Sequence, residues 1–217
     1  MILYFKENCN YSAGIKNYYR NNISFIINRE NNNTLKNQET LIVHKGYGIE
    51  IHFNESVKGL ERFFNPLYYK NIIFLVSIDL SNFGSSSMTY MGSMFYECSS
   101  LESINLTNFN TSLVTRMDYM FYRCYLLKSI NLSSFNTSLV THMDHMFHDC
   151  SSLESIDLSS FNTSLLINMD YMFYWCYSLK SINLSSFNTS LVTCMVHMFF
   201  KCYSLKSIDL SNFNTRL

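Results

Sequence analysis

The chain has 217 residues, 47% of them hydrophobic, and its 16 basic side chains are balanced by 16 acidic ones. That length suits one elongated repeat domain or two small ones. The charge balance argues against a nucleic-acid or anionic-membrane partner, since both need net positive charge.

No apolar run approaches the ~20 residues of a membrane helix. The start, Met1-Ile-Leu-Tyr-Phe-Lys-Glu-Asn-Cys, lacks the charged, apolar and small-residue order of a secretory signal. The first 70 residues do not repeat cleanly. Leu41 to Phe53 reads as a small β segment in an otherwise irregular stretch. Leu60, Phe63, Phe64 and Leu67 then echo an apolar spacing found throughout the rest of the chain, with about five extra residues before the next strand. Residues 1–71 are therefore expected to be an irregular N-terminal segment ending in a degenerate capping coil, because a terminal repeat lacks a neighbour on one face.

Residues 72–217 are expected to form a six-strand array. Cys98, Cys124, Cys150, Cys176 and Cys202 each follow the previous one by 26 residues. Each lies in the wording Met-Phe-x-x-Cys-x-x-Leu-x-x-Ile-x-Leu-x-x-Phe, and a fixed period of this size marks stacked repeats. Ser103-Ile104-Asn105-Leu106 alternates polar and apolar, as a strand with one buried face does. Counterparts begin at Ser77, Ser129, Ser155, Ser181 and Ser207. In the second half of each coil the period changes. Met117, Met120, Phe121 and Cys124 fall at i, i+3, i+4 and i+7, which predicts a short helix. Thr115 with Asp118, and Thr141 with Asp144, have the spacing of a helix cap. Each coil thus reads strand, polar corner, short helix and return. The fold class expected is an α/β repeat, a right-handed solenoid with one short parallel strand and one short helix per coil.

A single coil buries too little apolar surface to offset the ordering of its backbone, so only the array can be stable. Two columns support the stacking register. Glu102, Lys128, Glu154, Lys180 and Lys206 form one, and Glu97, Arg123, Asp149, Trp175 and Lys201 the other. Neighbouring coils mostly carry opposite signs, as paired strands favour.

The phrase Ser-Phe-Asn-Thr-Ser-Leu-Val-Thr-x-Met-x-x-Met-Phe-x-x-Cys-x-x-Leu resembles the 26-residue repeat of BspA-like leucine-rich-repeat surface proteins, a type common in mycoplasma and other bacteria. The resemblance runs from about Ile72 to Leu217. It implies a cell-surface or secreted protein used in adhesion or partner recognition, without enzymatic activity. The chain departs from that pattern in lacking a signal or lipoprotein start and in stopping after its sixth strand without a cap. A cytoplasmic repeat scaffold and a piece of a longer surface protein are the alternatives. The open last coil, Phe213 to Leu217, is an edge at which a partner or further chain is expected to pair.

The cysteine column lies on the face of Met117, Met120 and Phe121, where a thiol is expected to be a small buried hydrophobe. Cys194 falls in a variable column with Tyr90, Arg116, His142 and Asn168, and is expected to be exposed. His142, His145 and His148 invite a metal reading, but His142 and His148 would point about 120° apart on a helix. They are better taken with an aromatic face: Tyr119, Tyr122, His145, His148, Tyr171, Tyr174, Trp175 and His197 are the candidate partner-binding residues, flanked by Tyr90 and Tyr96. Tyrosine and tryptophan often carry interface energy, although such rings could equally pack over one another. The partner is expected to be a protein or a glycan. Asn110, Asn136, Asn162, Asn188 and Asn214 are expected to bond backbone between coils. No catalytic, phosphate-binding or cofactor motif is found, so no enzyme activity and no cofactor are expected.

Overall fold

The computed structural model describes residues 2–5, 9–11, 23–28, 33–35, 41–43, 48–53, 64, 75–81 and 83–214. Its first part contains six short strands: β1 (Ile2–Phe5), β2 (Cys9–Tyr11), β3 (Ile23–Asn28), β4 (Asn33–Leu35), β5 (Leu41–Val43) and β6 (Gly48–Phe53). The repeat contributes β7 (Leu75–Asp79), β8 (Ser103–Asn105), β9 (Ser155–Asp157) and β10 (Ser181–Asn183). One six-stranded sheet runs β4-β3-β6-β1-β7-β8. Within it β1 lies antiparallel to β7, with Leu3 opposite Ile78, while β7 and β8 are parallel, with Ile78 opposite Ile104. The first repeat strand is therefore paired on both edges. β9 and β10 form a separate parallel pair, with Ile156 opposite Ile182.

Leu60, Phe63 and Leu67 lie outside the described residues. Phe64, however, is fully buried and takes the place of a repeat phenylalanine. Its ring stacks on Phe95 at 5.1 Å, its N–H donates to Met94 O, and its carbonyl accepts from Cys98 Sγ at 3.4 Å. The same column continues through Phe121, Phe147, Phe173 and Phe199, ring over ring at 5.2 to 5.6 Å.

The core is one continuous stripe of Met, Phe, Leu and Cys from every coil. Cys98, Cys124, Cys150 and Cys176 are fully buried and unbridged. Each thiol donates to the carbonyl of a phenylalanine one coil back, as Cys150 Sγ does to Phe121 O at 3.1 Å. Burial pushes these thiols well above the usual range, so they behave as small core side chains. Cys194 is half-buried rather than exposed, because its backbone belongs to a bridge ladder described below.

Three expectations need correction. The first is the helix. Among the described residues no helix forms, and the segment predicted as one is a run of tight turns. Tyr119 and Arg123 have φ of 58° and 57°, and the same two positions in the other coils are also left-handed. Two such residues four apart cannot share one right-handed helix. Each stands third in a β-turn, as with Met120 N–H to Met117 O and Cys124 N–H to Phe121 O, a place where glycine is the usual occupant. The alternate N–H groups point out of the coil. Met117, Tyr119, Phe121 and Arg123 donate to His142, Asp144, Met146 and His148 of the next coil at 2.8 to 3.0 Å. Isolated parallel bridges join Tyr90, Arg116, His142, Asn168 and Cys194 in one line. With no helix to cap, Thr115 Oγ1 donates to Thr89 O at 3.2 Å and Asp118 pairs with Arg116 at 2.7 Å.

The second correction concerns the strands. The alternation at Ser129–Leu132 and Ser207–Leu210 does not become paired strand. A three-residue strand holds only a few ladder bonds. Around Ser129 one such bond is retained, from Glu154 N–H to Lys128 O. The third concerns the corner asparagines: the side chains of Asn110, Asn136, Asn162 and Asn188 bond within their own loop, as where Asn136 Oδ1 accepts from Ser138 N–H at 3.0 Å. The bond between coils comes from buried threonines. Thr137 Oγ1 donates to Asn162 O at 2.9 Å and accepts Asn162 N–H at 2.8 Å, and Thr111 and Thr163 do the same. An asparagine side chain reaches its own backbone two residues on more readily than the neighbouring coil.

Candidate functional site

The ring-bearing face is built on the turn ladder. Coils held by backbone bonds sit about 4.8 Å apart, close to the spacing at which offset rings attract. Any aromatic placed in one column is thereby set over its counterpart. Two rows result. Tyr119 stacks on His145 at 4.4 Å, His145 on Tyr171 at 4.8 Å, and Tyr171 leans on His197 at 5.5 Å. Three positions on, Tyr96, Tyr122, His148 and Tyr174 follow one another at 4.7 Å, and Phe200 closes the row at 5.1 Å. The rows touch each other: His145 lies 5.2 Å from His148 and Tyr171 5.4 Å from Tyr174.

Trp175 stands in the adjoining charged column, 5.1 Å from Tyr174, with the Lys201 ammonium 5.0 Å from its ring. Arg123 lies over Tyr122 at 5.0 Å while holding Glu97 at 2.9 Å. Lys180 and Glu154 meet at 2.6 Å across adjacent coils, so the opposite-sign columns do fall in register.

All eight candidate residues lie on this one face. Tyr119, Tyr122, His145, His148, Tyr171, Tyr174 and Trp175 are half-buried, and His197 is exposed. The rings thus cover the turn ladder while remaining partly open to solvent. Burial, followed by the Asp144 charge, raises the Tyr119 hydroxyl. Burial, and behind it His145 and Arg123, lowers His148 to about 4, so it is neutral at physiological pH. The Nδ1 atoms of His145 and His148 and the indole N–H of Trp175 are buried without a hydrogen-bond partner in the protein. His142 stands apart in the bridge line, with Nδ1 2.9 Å from Thr141 Oγ1. Among the described residues no group of three or more His, Cys, Asp or Glu side chains is placed to hold a metal ion. Tyr177 and Tyr203, stacked at 5.7 Å beside Trp175, widen the face. Their shared column in the repeat was the signal that could have found them.

Among the described residues no helix is long and apolar enough to cross a membrane. No curated protein matches the chain. A crystal structure of a leucine-rich repeat protein from Bacteroides ovatus ATCC 8483 is similar at 20% identity and a TM-score of 0.37, covering 85% of this chain and half of that one. The family described as "Mycoplasma protein of unknown function, DUF285" matches residues 64–154 and 156–217. With more than half of its length in that match, and with the BspA-like wording repeated coil after coil, the chain belongs to this family of leucine-rich-repeat-like proteins.

Proposed function

We propose that the protein is a non-enzymatic interaction module, a right-handed solenoid over residues 72–217 with residues 1–71 capping its first coil, which binds a protein or glycan partner at the cell surface. The observation that carries this reading is the pair of ring rows. They form a half-buried strip of Tyr, His and Trp side chains on a continuous backbone ladder. Such rings offer large contact area at low entropy cost, with hydroxyl and imidazole groups for direction. A preformed strip loses little ordering entropy on binding.

The test compares the native chain with a Tyr122→Ser, Tyr174→Ser, Trp175→Ser variant on arrays of glycans and of extracellular host proteins. Matched circular dichroism would establish that the variant is folded. Binding by the native chain that the variant loses supports the reading; binding equal in both overturns the role of these rings. Protease treatment of intact source cells checks the location. Loss of the repeat with a cytosolic marker intact supports the surface, and protection until lysis overturns it.

A further inference from the structure

A row of leucines stands where the fold leaves side chains in solvent. A tight turn closes from Val114 N–H to Thr111 O at 3.0 Å, and the same turn recurs at Val140, Leu166 and Val192. Thr111 and Val114 are buried, and of the two residues between them Leu113 is left on the outside. Tight turns favour small polar residues there, and Ser87 holds the leucine position in the preceding coil. The next four coils nevertheless carry Leu113, Leu139, Leu165 and Leu191, which are 48%, 43%, 42% and 52% exposed. Bonds between coils on both sides hold them in one line: Asn136 N–H donates to Thr111 Oγ1 at 2.8 Å, and Thr141 N–H to Thr115 O at 2.9 Å. Ile167, 40% exposed, widens the row where the other coils carry threonine. Leu139 and Leu165 have a coil on either side, so their exposure does not depend on where the chain begins or ends.

A lone exposed leucine is ordinary, whereas a contiguous row marks a surface that is covered in use. Its occupant has to match two features. The first is charge. Residues 107–115, 133–141, 159–167 and 185–193 contain no Asp, Glu, Lys, Arg or His, so a charged partner would lose hydration here with nothing to pair it. The second is spacing, because the leucines recur at the ~4.8 Å separation of the coils. One face of an extended strand repeats at about 6.6–6.8 Å, and one face of a helix at about 5.4 Å. Both fall out of step along the row. A second ladder of the same coils stays in step over its whole length and brings no charge. We propose that two copies of this chain pair through this row, Leu113, Leu139, Leu165 and Leu191 of one against the same four of the other. A two-fold contact needs a self-complementary patch, and a neutral row of identical side chains is one whichever way the axis runs. Four coils span about 19 Å, at the small end of specific interfaces, so the pair is weak and forms at high local concentration. In each coil the bridge line through Arg116, His142 and Asn168 separates this row from the rings; the pairing does not rest on the function proposed for them.

The experiment is sedimentation of the full chain over a concentration series reaching about 1 mM, where even a weak pair forms. The expected result is a reversible equilibrium between monomer and dimer. Leu113→Ser, Leu139→Ser, Leu165→Ser and Leu191→Ser together weaken the association about tenfold or more, and the ring variant Tyr122→Ser, Tyr174→Ser, Trp175→Ser associates as the native chain does. Because a variant can lose association by losing its fold, two further chains are made. One carries Leu139→Lys and Leu165→Lys, the other Leu139→Glu and Leu165→Glu. Each alone stays monomeric, and a mixture of the two associates, which chains that had merely unfolded would not do. A native chain that is monomeric throughout overturns the proposal, as does association that the four serines leave unchanged. So does binding to phosphatidylcholine vesicles, lost in the serine variant, by a native chain that does not self-associate; the occupant would then be a bilayer.

Discussion

The strand side and the turn side of the coils hold the stack in different ways. On the strand side the sequence alternates as a strand should, yet pairing is intermittent: β7 with β8, β9 with β10, and unpaired backbone at Ser129–Leu132. On the turn side the sequence has helical spacing, yet four N–H groups per coil cross to the next coil without interruption from Met91 to Trp175. The spacing that marks a helix face, i, i+3, i+4 and i+7, also marks the inward residues of successive tight turns. A periodicity of apolar residues reports which side chains are buried. It does not report where the backbone bonds go.

The largest expected effect breaks this contrast directly. His145 has φ of 57° and donates to Asp170 O at 2.8 Å. Proline there loses the bond and cannot adopt that φ, so His145→Pro costs more than ~3 kcal/mol in urea unfolding. Ser129→Pro, on the unpaired strand-side stretch, costs about 1 kcal/mol or less. Equal losses at the two sites would overturn the contrast.

The polar corner sharpens it. Thr137→Val removes a hydroxyl that serves both the N–H and the carbonyl of Asn162. Two backbone groups are left unpaired, at a cost of about 2–3 kcal/mol. Asn136→Ala loses only a local turn bond and costs about 1 kcal/mol. The reverse order in thermal unfolding would return the inter-coil role to asparagine.

Acid tests the ring rows. His148 is held neutral in the fold, lowered to about 4, with burial the main cause, then His145 and Arg123. An unfolded histidine titrates near 6.5, so between these values the unfolded chain binds the extra proton. Stability is full above about pH 6.5, falls as the pH drops toward 4, and levels off below. For a half-exposed ring, with solvent screening, the loss is on the order of 1–2 kcal/mol. His148→Tyr, the residue of the neighbouring coils, removes this step from the pH profile; an unchanged profile would assign the step elsewhere.

The smallest effect concerns the left-handed positions. Ser93, at φ 55°, carries no ring, so Ser93→Gly stabilises by about 1 kcal/mol. Tyr171, at φ 56°, lies 4.8 Å from His145 and 5.4 Å from Tyr174. Stacking there contributes about as much as the backbone conformation costs. Tyr171→Gly gives no gain in melting temperature. A gain equal to that at Ser93 would show that the rings contribute nothing to the stack.

The sequence by itself determined the 26-residue period, the inward columns of Met, Phe, Cys and Leu, the register of opposite charges, and the gathering of Tyr119, Tyr122, His145, His148, Tyr171, Tyr174, Trp175 and His197 on one face. These follow from side-chain pattern, which a fixed repeat displays coil after coil. Only the tertiary structure decided which backbone groups pair, that threonine rather than asparagine bridges the corner, and that β1 flanks the first repeat strand. Backbone N–H and C=O groups are the same in every residue. Their partners are chosen by what lies opposite once the coils are stacked, and one coil read alone carries no trace of that choice.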